Sequence, residues 1–318
     1  MQLNGSQQVD DGYVDWGVGN LSNAQLVVWL IDISIVVIGL PGNLLVIYCF
    51  IFSHHLKKWK KETKMSVFII SLGVCDALTS LNVCAFYVFG NVVARYINNV
   101  FTCKIFGSMY FYEGMAVASS WQIAMVAVER YLAICHPVYH RTKFSNVKIA
   151  VLIFITYIMG FCTSLIHMPL LFYINEDGIC TTTFFELSYE VLVLQATSSL
   201  IFFAILPSAL IIPLYAKIYS TLRTATQSAN LKKASLNVLR TSVIVYIGFG
   251  ICNFPAVFVW FYDISMQVAI DFSGPLWQIL MVLMSCSCCL NPVIYAFSIP
   301  QFRRAILDVL LLGKIFET

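Results

Sequence analysis

The residues in this chain able to do chemistry are few, and they sit inside long apolar runs. At Val126 to Pro137 an apolar stretch carries Glu129-Arg130-Tyr131 near its end and stops at His136-Pro137. A carboxylate beside a guanidinium in such a setting needs its neighbour, water or a partner. Asp76 stands in the middle of another run, where a carboxylate costs about 2.5 to 3.5 kcal/mol on insertion scales. That cost implies a function or a polar partner. Asn43, Ser119, Ser287 and Asn291 fall at comparable depth in their own runs. Together with Asp76 they read either as a satisfied structural network or as a cation site, and the residues leave both open. Glu113, upstream of Arg130 in the same run, is a third acid in apolar surroundings, suited to a cationic group or to a hydrogen-bonded place between helices.

Runs long enough to hold these groups dominate the chain. With 318 residues, 59% hydrophobic, 11% charged and a mean hydropathy of +0.82, there is too little polar surface for a soluble protein. Seven spans are predicted, roughly Leu26 to Phe52, Met65 to Phe89, Phe101 to Ile134, Val147 to Tyr173, Tyr189 to Leu222, Leu236 to Tyr262 and Val268 to Phe297. All are long enough to cross a bilayer as helices, and none shows the alternating strands of about ten residues that a barrel requires. The fold class expected is an all-α, seven-transmembrane bundle over residues 26–299.

Basic residues give the orientation. Of the 19 Lys and Arg, all but Arg95 and Lys104 frame the connections after spans one, three, five and seven. By the positive-inside rule the N-terminus lies outside and the C-terminus in the cytosol. The net charge of +3 is therefore a sidedness signal, with no nucleic-acid partner implied. Residues 1–25 read as a short polar extracellular tail with glycosylation sequons at Asn4 and Asn20. No charged-apolar-small signal peptide precedes it, so span one is expected to act as its own insertion signal. Among the 11 cysteines, only Cys103 and Cys180 fall on the outer, oxidising side. A disulfide between them would tie the loop of residues 175–186 to the top of span three. Pro169, Pro207, Pro255 and Pro292 are expected to interrupt spans four to seven. Pro137 should end span three, opening a basic loop from Val138 to Ser145. The connection from Arg223 to Ala234 is short. Residues 300–318 begin with an amphipathic stretch to Leu312, read as a helix on the inner membrane surface.

Several motifs fall in register on separate spans: Gly42-Asn43; Leu72, Asp76 and Leu78; Cys103 with Cys180; Glu129-Arg130-Tyr131; Pro207 with Tyr215; Phe249 with Cys252-Asn253-Phe254-Pro255; and Asn291-Pro292-Val293-Ile294-Tyr295. With these the chain resembles the rhodopsin-like (class A) G-protein-coupled receptors along nearly its whole length. The resemblance implies a resting pair of Glu129 and Arg130, which outward movement of span six releases to meet a heterotrimeric G protein. Tyr215 and Tyr295 would support the freed Arg130, beside Tyr131, Asn291 and Pro292. It further implies a sodium-linked core of Asp76, Ser119 and Asn291 within the wider polar cluster that includes Asn43 and Ser287, and no cofactor is expected beyond an allosteric Na+. A ligand pocket would be lined by Tyr112, Glu113, Ser199, Phe203, Asn253, Ala256, Val257, Trp260, Met281 and Ser285.

Departures from the family pattern carry information of their own. Asn253 replaces a span-six Trp, span four lacks its Trp and has Met159 or Gly160 near that depth, and Ser120 replaces a branched apolar residue. Ser235 stands near where many members carry an acid that pairs with the Arg, which suggests appreciable basal activity. Counting from Arg130 puts Tyr112 at the site of the amine-binding Asp, and counting from Cys103 puts Tyr110 there, so a monoamine in the usual pose is disfavoured. Ser285 occupies the position of a retinal-binding Lys, which disfavours an opsin.

Other classes fit less well. A transporter or channel would show inverted repeats or charge-lined paths. An enzyme would need a convergent acid, base or metal set, and His167 has no His or Cys at ligand spacing. The expected activity is that of a plasma-membrane receptor, not an enzyme, for a small molecule or short peptide, with membrane lipids around it. Ligand-independent signalling is the alternative.

Overall fold

The computed structural model describes residues 23–56, 64–96, 99–104, 110–167, 172–174, 180–182, 187–224, 229–268 and 274–310. The expected tail sequons at Asn4 and Asn20 lie outside them. Seven long helices form a bundle: α1 Asn23–Phe52, α2 Met65–Tyr96, α3 Tyr110–Cys135, α4 Asn146–His167, α5 Tyr189–Thr224, α6 Ala229–Ser265 and α7 Pro275–Ser298. An eighth, α8 Pro300–Leu310, follows at once. Six of the seven are apolar and long enough to cross a membrane. The exception is α3, and burial explains why. It packs against α2, α4, α5 and α6, 14 of its 26 residues are buried, and these include Ser119, Ser120, Gln122, Glu129 and Arg130. A helix that faces protein on most sides need not be greasy, whereas α4 turns Val147 (72% exposed) and Phe154 (65% exposed) outward.

Close packing depends on small residues at two crossings. A Cβ on Gly160 of α4 would lie 2.2 Å from the Gly114 carbonyl oxygen and 3.1 Å from the Ala118 amide nitrogen of α3. The helix backbones touch there, at the depth where the sequence lacks the family's Trp. On the other side of the bundle, a Cβ on Gly42 of α1 would meet the Pro292 ring of α7 at 3.2 Å.

Several boundaries differ from the sequence expectation. Helix α4 stops at His167, and Tyr173 belongs to a short strand, β1 Phe172–Ile174, paired antiparallel with β2 Cys180–Thr182. Pro169 lies outside the described residues. Segment 138–145 is not simply a loop: Pro137–Thr142 is a short helix with Pro at its first position, where the missing N–H costs nothing. Helix α6 starts at Ala229, so only residues 225–228 separate it from α5. Within α5, Leu200–Ile205 winds as π-helix just before Pro207. A π-turn is one way a helix accommodates a proline that cannot donate. Two carbonyls of this segment are held from α3: Ser120 Oγ donates to Phe203 O at 2.8 Å and Trp121 Nε1 to Phe202 O at 2.9 Å. The hydroxyl at position 120, unusual by family pattern, has a backbone acceptor to satisfy.

The amphipathic helix α8 docks through its apolar side. Phe302 is fully buried, stacked at 5.6 Å on Phe50 of α1 and edge-on at 6.3 Å to Tyr295 of α7. Arg303 and Arg304 point to solvent. Leu56, in the turn after α1, is fully buried, while its neighbour His55 reaches Asp308 of α8 at 2.5 Å. Both partners of that last pair are about half exposed, so it contributes little beside the ring stack.

Candidate functional site

The residues singled out by chemistry fall into three groups along the bundle axis. At the foot of α3, Glu129 is fully buried and Arg130 nearly so. Arg130 Nε donates to Glu129 Oε2 at 2.5 Å, and its Nη2 is ion-paired with the same carboxylate. The second oxygen, Oε1, is bound by His140 Nε2 at 2.9 Å and by the Lys64 backbone N–H at 3.3 Å. Lys64 Nζ in turn donates to His140 O at 3.0 Å and to Phe144 O. Glu129 therefore joins the short helix and the start of α2 to α3. Sequence reading missed Lys64 and His140 as its partners. The usable signal was a histidine eleven residues past an acid whose helix ends on proline.

The remaining inner residues do not all touch this pair. Tyr131 turns away, with its hydroxyl 3.0 Å from His136 Nε2. Tyr215 is buried near Ser242, and its hydroxyl has no hydrogen-bond partner among the described residues. Tyr295 is buried against Phe50 and Phe302. Ser235 is half-buried, and among the described residues no α6 side chain bonds Arg130.

Midway along the axis, Asn291 Nδ2 donates to Asp76 Oδ2 at 2.7 Å. Ser119 is buried beside Asp76, and its hydroxyl has no hydrogen-bond partner among the described residues. Asn43 does not join Asp76: its Nδ2 donates to Gly39 O at 2.9 Å and to Cys288 O at 2.6 Å, tying α1 to α7. Ser287 likewise turns back on its own helix, bonding Met284 O at 2.7 Å. Serine in a helix commonly makes that local bond when no better acceptor is offered. The polar core thus contracts from the expected five residues to Asp76, Asn291 and Ser119.

Towards the Cys103 end, Ser199 Oγ donates to Glu113 Oε1 at 3.0 Å, linking α5 to α3. The other oxygen, Glu113 Oε2, is buried and has no hydrogen-bond partner among the described residues. Around it the expected lining separates. Trp260 meets Trp277 edge-on at 6.0 Å, and Met281 packs with Ala256 and Trp277. Ser285 is buried. Three more of the expected lining residues take part in hydrophobic packing. Tyr112 is buried with Val36 and Val83. Phe203 sits 5.6 Å from Phe249 and 6.5 Å from Phe254 in an aromatic trio. Val257 packs against the main core. Asn253 is fully enclosed and bonds its own helix at Phe249 O, 3.0 Å away, so no aromatic toggle stands there. Cys103 is buried and disulfide-bonded. Cys180 opens β2, and its side chain lies outside the described ones. Among the described residues no cluster of His, Cys, Asp or Glu could hold a metal ion.

A bundle of this topology with its inner pair, core pair and buried outer acid can be compared with known proteins. The model of the family described as "7 transmembrane receptor (rhodopsin family)" matches residues 42–295. The chain belongs to that family. The receptor is similar to the G-protein coupled receptor homolog Q2/3L of sheeppox virus, 24% identical over 94% of this chain and 76% of the relative. It is also similar to the mouse trace amine-associated receptor 2, 27% identical over 81% and 78% respectively. The chicken blue-sensitive opsin is 29% identical over 88% and 77%. Membership makes the receptor a multi-pass membrane protein.

Proposed function

We propose that this receptor sits in the plasma membrane with its N-terminus outside, binds a small molecule or short peptide between Glu113 and the Trp260–Met281 side, and drives nucleotide exchange on a heterotrimeric G protein. The observation that carries the reading is the fully buried Glu129–Arg130 pair, latched from two other segments by His140 and Lys64. A buried ion pair with removable partners is a bistable element, and a ligand acts by binding one packing better than the other. Nucleotide exchange in membranes carrying the receptor, with panels of amines, short peptides and lipids, tests it. No exchange above receptor-free membranes, with or without those panels, would remove the reading.

Glu113 Oε2 supports a ligand with a cationic or hydrogen-bond-donating group, because a buried carboxylate oxygen left without a partner is costly. Glu113→Gln is expected to weaken an activating amine or peptide by about ten- to hundredfold, the range of a hydrogen bond to a charged group. Unchanged potency at equal surface expression would make the acid structural.

Asp76 and the Ser119 hydroxyl supply oxygen donors that suit a hard monovalent cation, with water completing its shell. Sodium would then stabilise the resting packing. Melting in sodium chloride is expected to exceed that in N-methylglucamine chloride by roughly 1–2 °C, the shift of about 1 kcal/mol in a chain of this size. Asp76→Asn should abolish the difference, and persistence of the shift in that variant would place sodium elsewhere.

A second reading, ligand-independent signalling, is favoured by Arg130 being held on α3 while the Ala229 end of α6 offers Ser235 and no acid. Basal exchange above receptor-free membranes is its expected sign.

A further inference from the structure

A cavity of about 620 Å³ opens beside the short helix Pro137–Thr142, where the ends of α3 and α4 meet. Its floor is apolar, formed by Leu132, Phe144, Val147, Val151 and Leu152. Its rim carries Tyr131, His136, Tyr139 and Lys148, and no carboxylate lines it. Lys148 is exposed and holds its ammonium 5.9 Å from the centroid of the Tyr139 ring. Across the short helix a second depression of about 510 Å³ shares His136 and Tyr139 and adds Lys143. The feature is amphipathic, greasy inside and cationic at the lip.

The apolar floor continues along the outside of the bundle. Val147, Val151, Phe154 and Ile158 recur at helical spacing on α4, and all are well exposed, at 72%, 51%, 65% and 47%. In a bilayer this stripe faces acyl chains. A chain lying on it enters the cavity at Val151 and Val147, and a headgroup at the same end meets Lys148. The cationic lip decides between lipid classes, because a basic residue at the surface favours an anionic headgroup by about fivefold per charge, whereas a zwitterionic one gains little.

We infer that this cavity is a binding site for an anionic phospholipid, one acyl chain in the apolar floor and the phosphate-bearing headgroup at Lys148. Assigning the lipid to the cytosolic leaflet rests on the orientation proposed above; the binding itself does not. Because Tyr131 and Leu132 of α3 and Phe144, the residue that accepts from Lys64, line the same cavity, the lipid braces the segments that latch Glu129.

The test uses the full-length receptor in detergent, equilibrated with equal amounts of phosphatidylserine and phosphatidylcholine, with retained lipid read by native mass spectrometry. Phosphatidylserine is expected to exceed phosphatidylcholine by at least about fivefold. Lys148→Glu should erase that preference. Val151→Trp should reduce retention of both lipids by filling the floor. Both positions are exposed, so the variants should elute and melt like the parent. Equal retention of the two lipids, or a preference that survives Lys148→Glu, would overturn the site. Displacement of the lipid by glycerophosphoserine alone would overturn the acyl-chain part and leave an anion site. The leaflet is read separately, from a small epitope fused after Thr318, on the same side as the short helix in the proposed topology, in intact cells. Labelling only after permeabilisation supports the cytosolic leaflet, and labelling without it overturns the orientation while the detergent result stands.

Discussion

Replacing Gly160 with leucine is expected to eliminate most of the folded receptor from the cell surface. A Cβ there already meets the Gly114 carbonyl at 2.2 Å, and the carbonyl is helix backbone that cannot swing aside. The two helices must separate, which breaks the packing of a helix with 14 of its 26 residues buried. Overpacking costs about 1–3 kcal/mol and sometimes more, a large part of a total stability of about 5–15 kcal/mol. Gly160→Ala should show the same effect in smaller measure, as a lowered melting temperature in detergent. Gly248→Ala is the control, because its Cβ meets only the ends of the Leu290 and Ile294 side chains at 3.5 Å or more. If Gly160→Ala melts with the parent, α3 and α4 do not cross at this contact.

The second large effect is on signalling. Arg130→Ala should lower basal and ligand-driven exchange by thirtyfold or more, the effect of losing about 2–5 kcal/mol when one member of a buried charged pair is removed. Glu129→Gln should act the other way. Neutralising the carboxylate loosens Arg130, His140 and Lys64 together, and basal exchange is expected to rise. Folding should survive both changes, since His140 and Lys64 still reach position 129 in the first, and the glutamine amide still accepts in the second. Parent-like exchange from Arg130→Ala, at matched surface amounts, would show that this receptor couples without its buried guanidinium.

Much of this architecture was legible because hydropathy reports contact with lipid. The seven runs and their basic flanks follow from that alone, and Glu129-Arg130, Asp76 and Asn291 announce themselves as polar groups in costly places. What escaped has different causes. Where α5 changes to π-helix, at Leu200–Ile205, is a matter of backbone hydrogen-bond register, which leaves no trace in composition. Ser287 and Ser119 look alike in sequence, yet one finds a carbonyl on its own helix and the other faces Asp76. Phe203 reads as a lining residue by register, and its placement with Phe249 and Phe254 is set by tertiary fit. The partnership of His140 with Glu129 needed the short helix, whose geometry a sequence read as loop does not supply.

The ring stack of Phe50, Tyr295 and Phe302 bears on how often the receptor rests. Any rotation that carries Tyr295 inward strips its edge contacts at 6.4 Å and 6.3 Å from those two rings. Aromatic pairs of this kind are worth about 0.5–1.5 kcal/mol each beyond their area. Losing one such contact shifts a two-state equilibrium by about two- to tenfold. On the proposed activation, helix α8 would serve as a counterweight on the resting side of the balance, and trimming Phe302 to leucine would tip it towards the other.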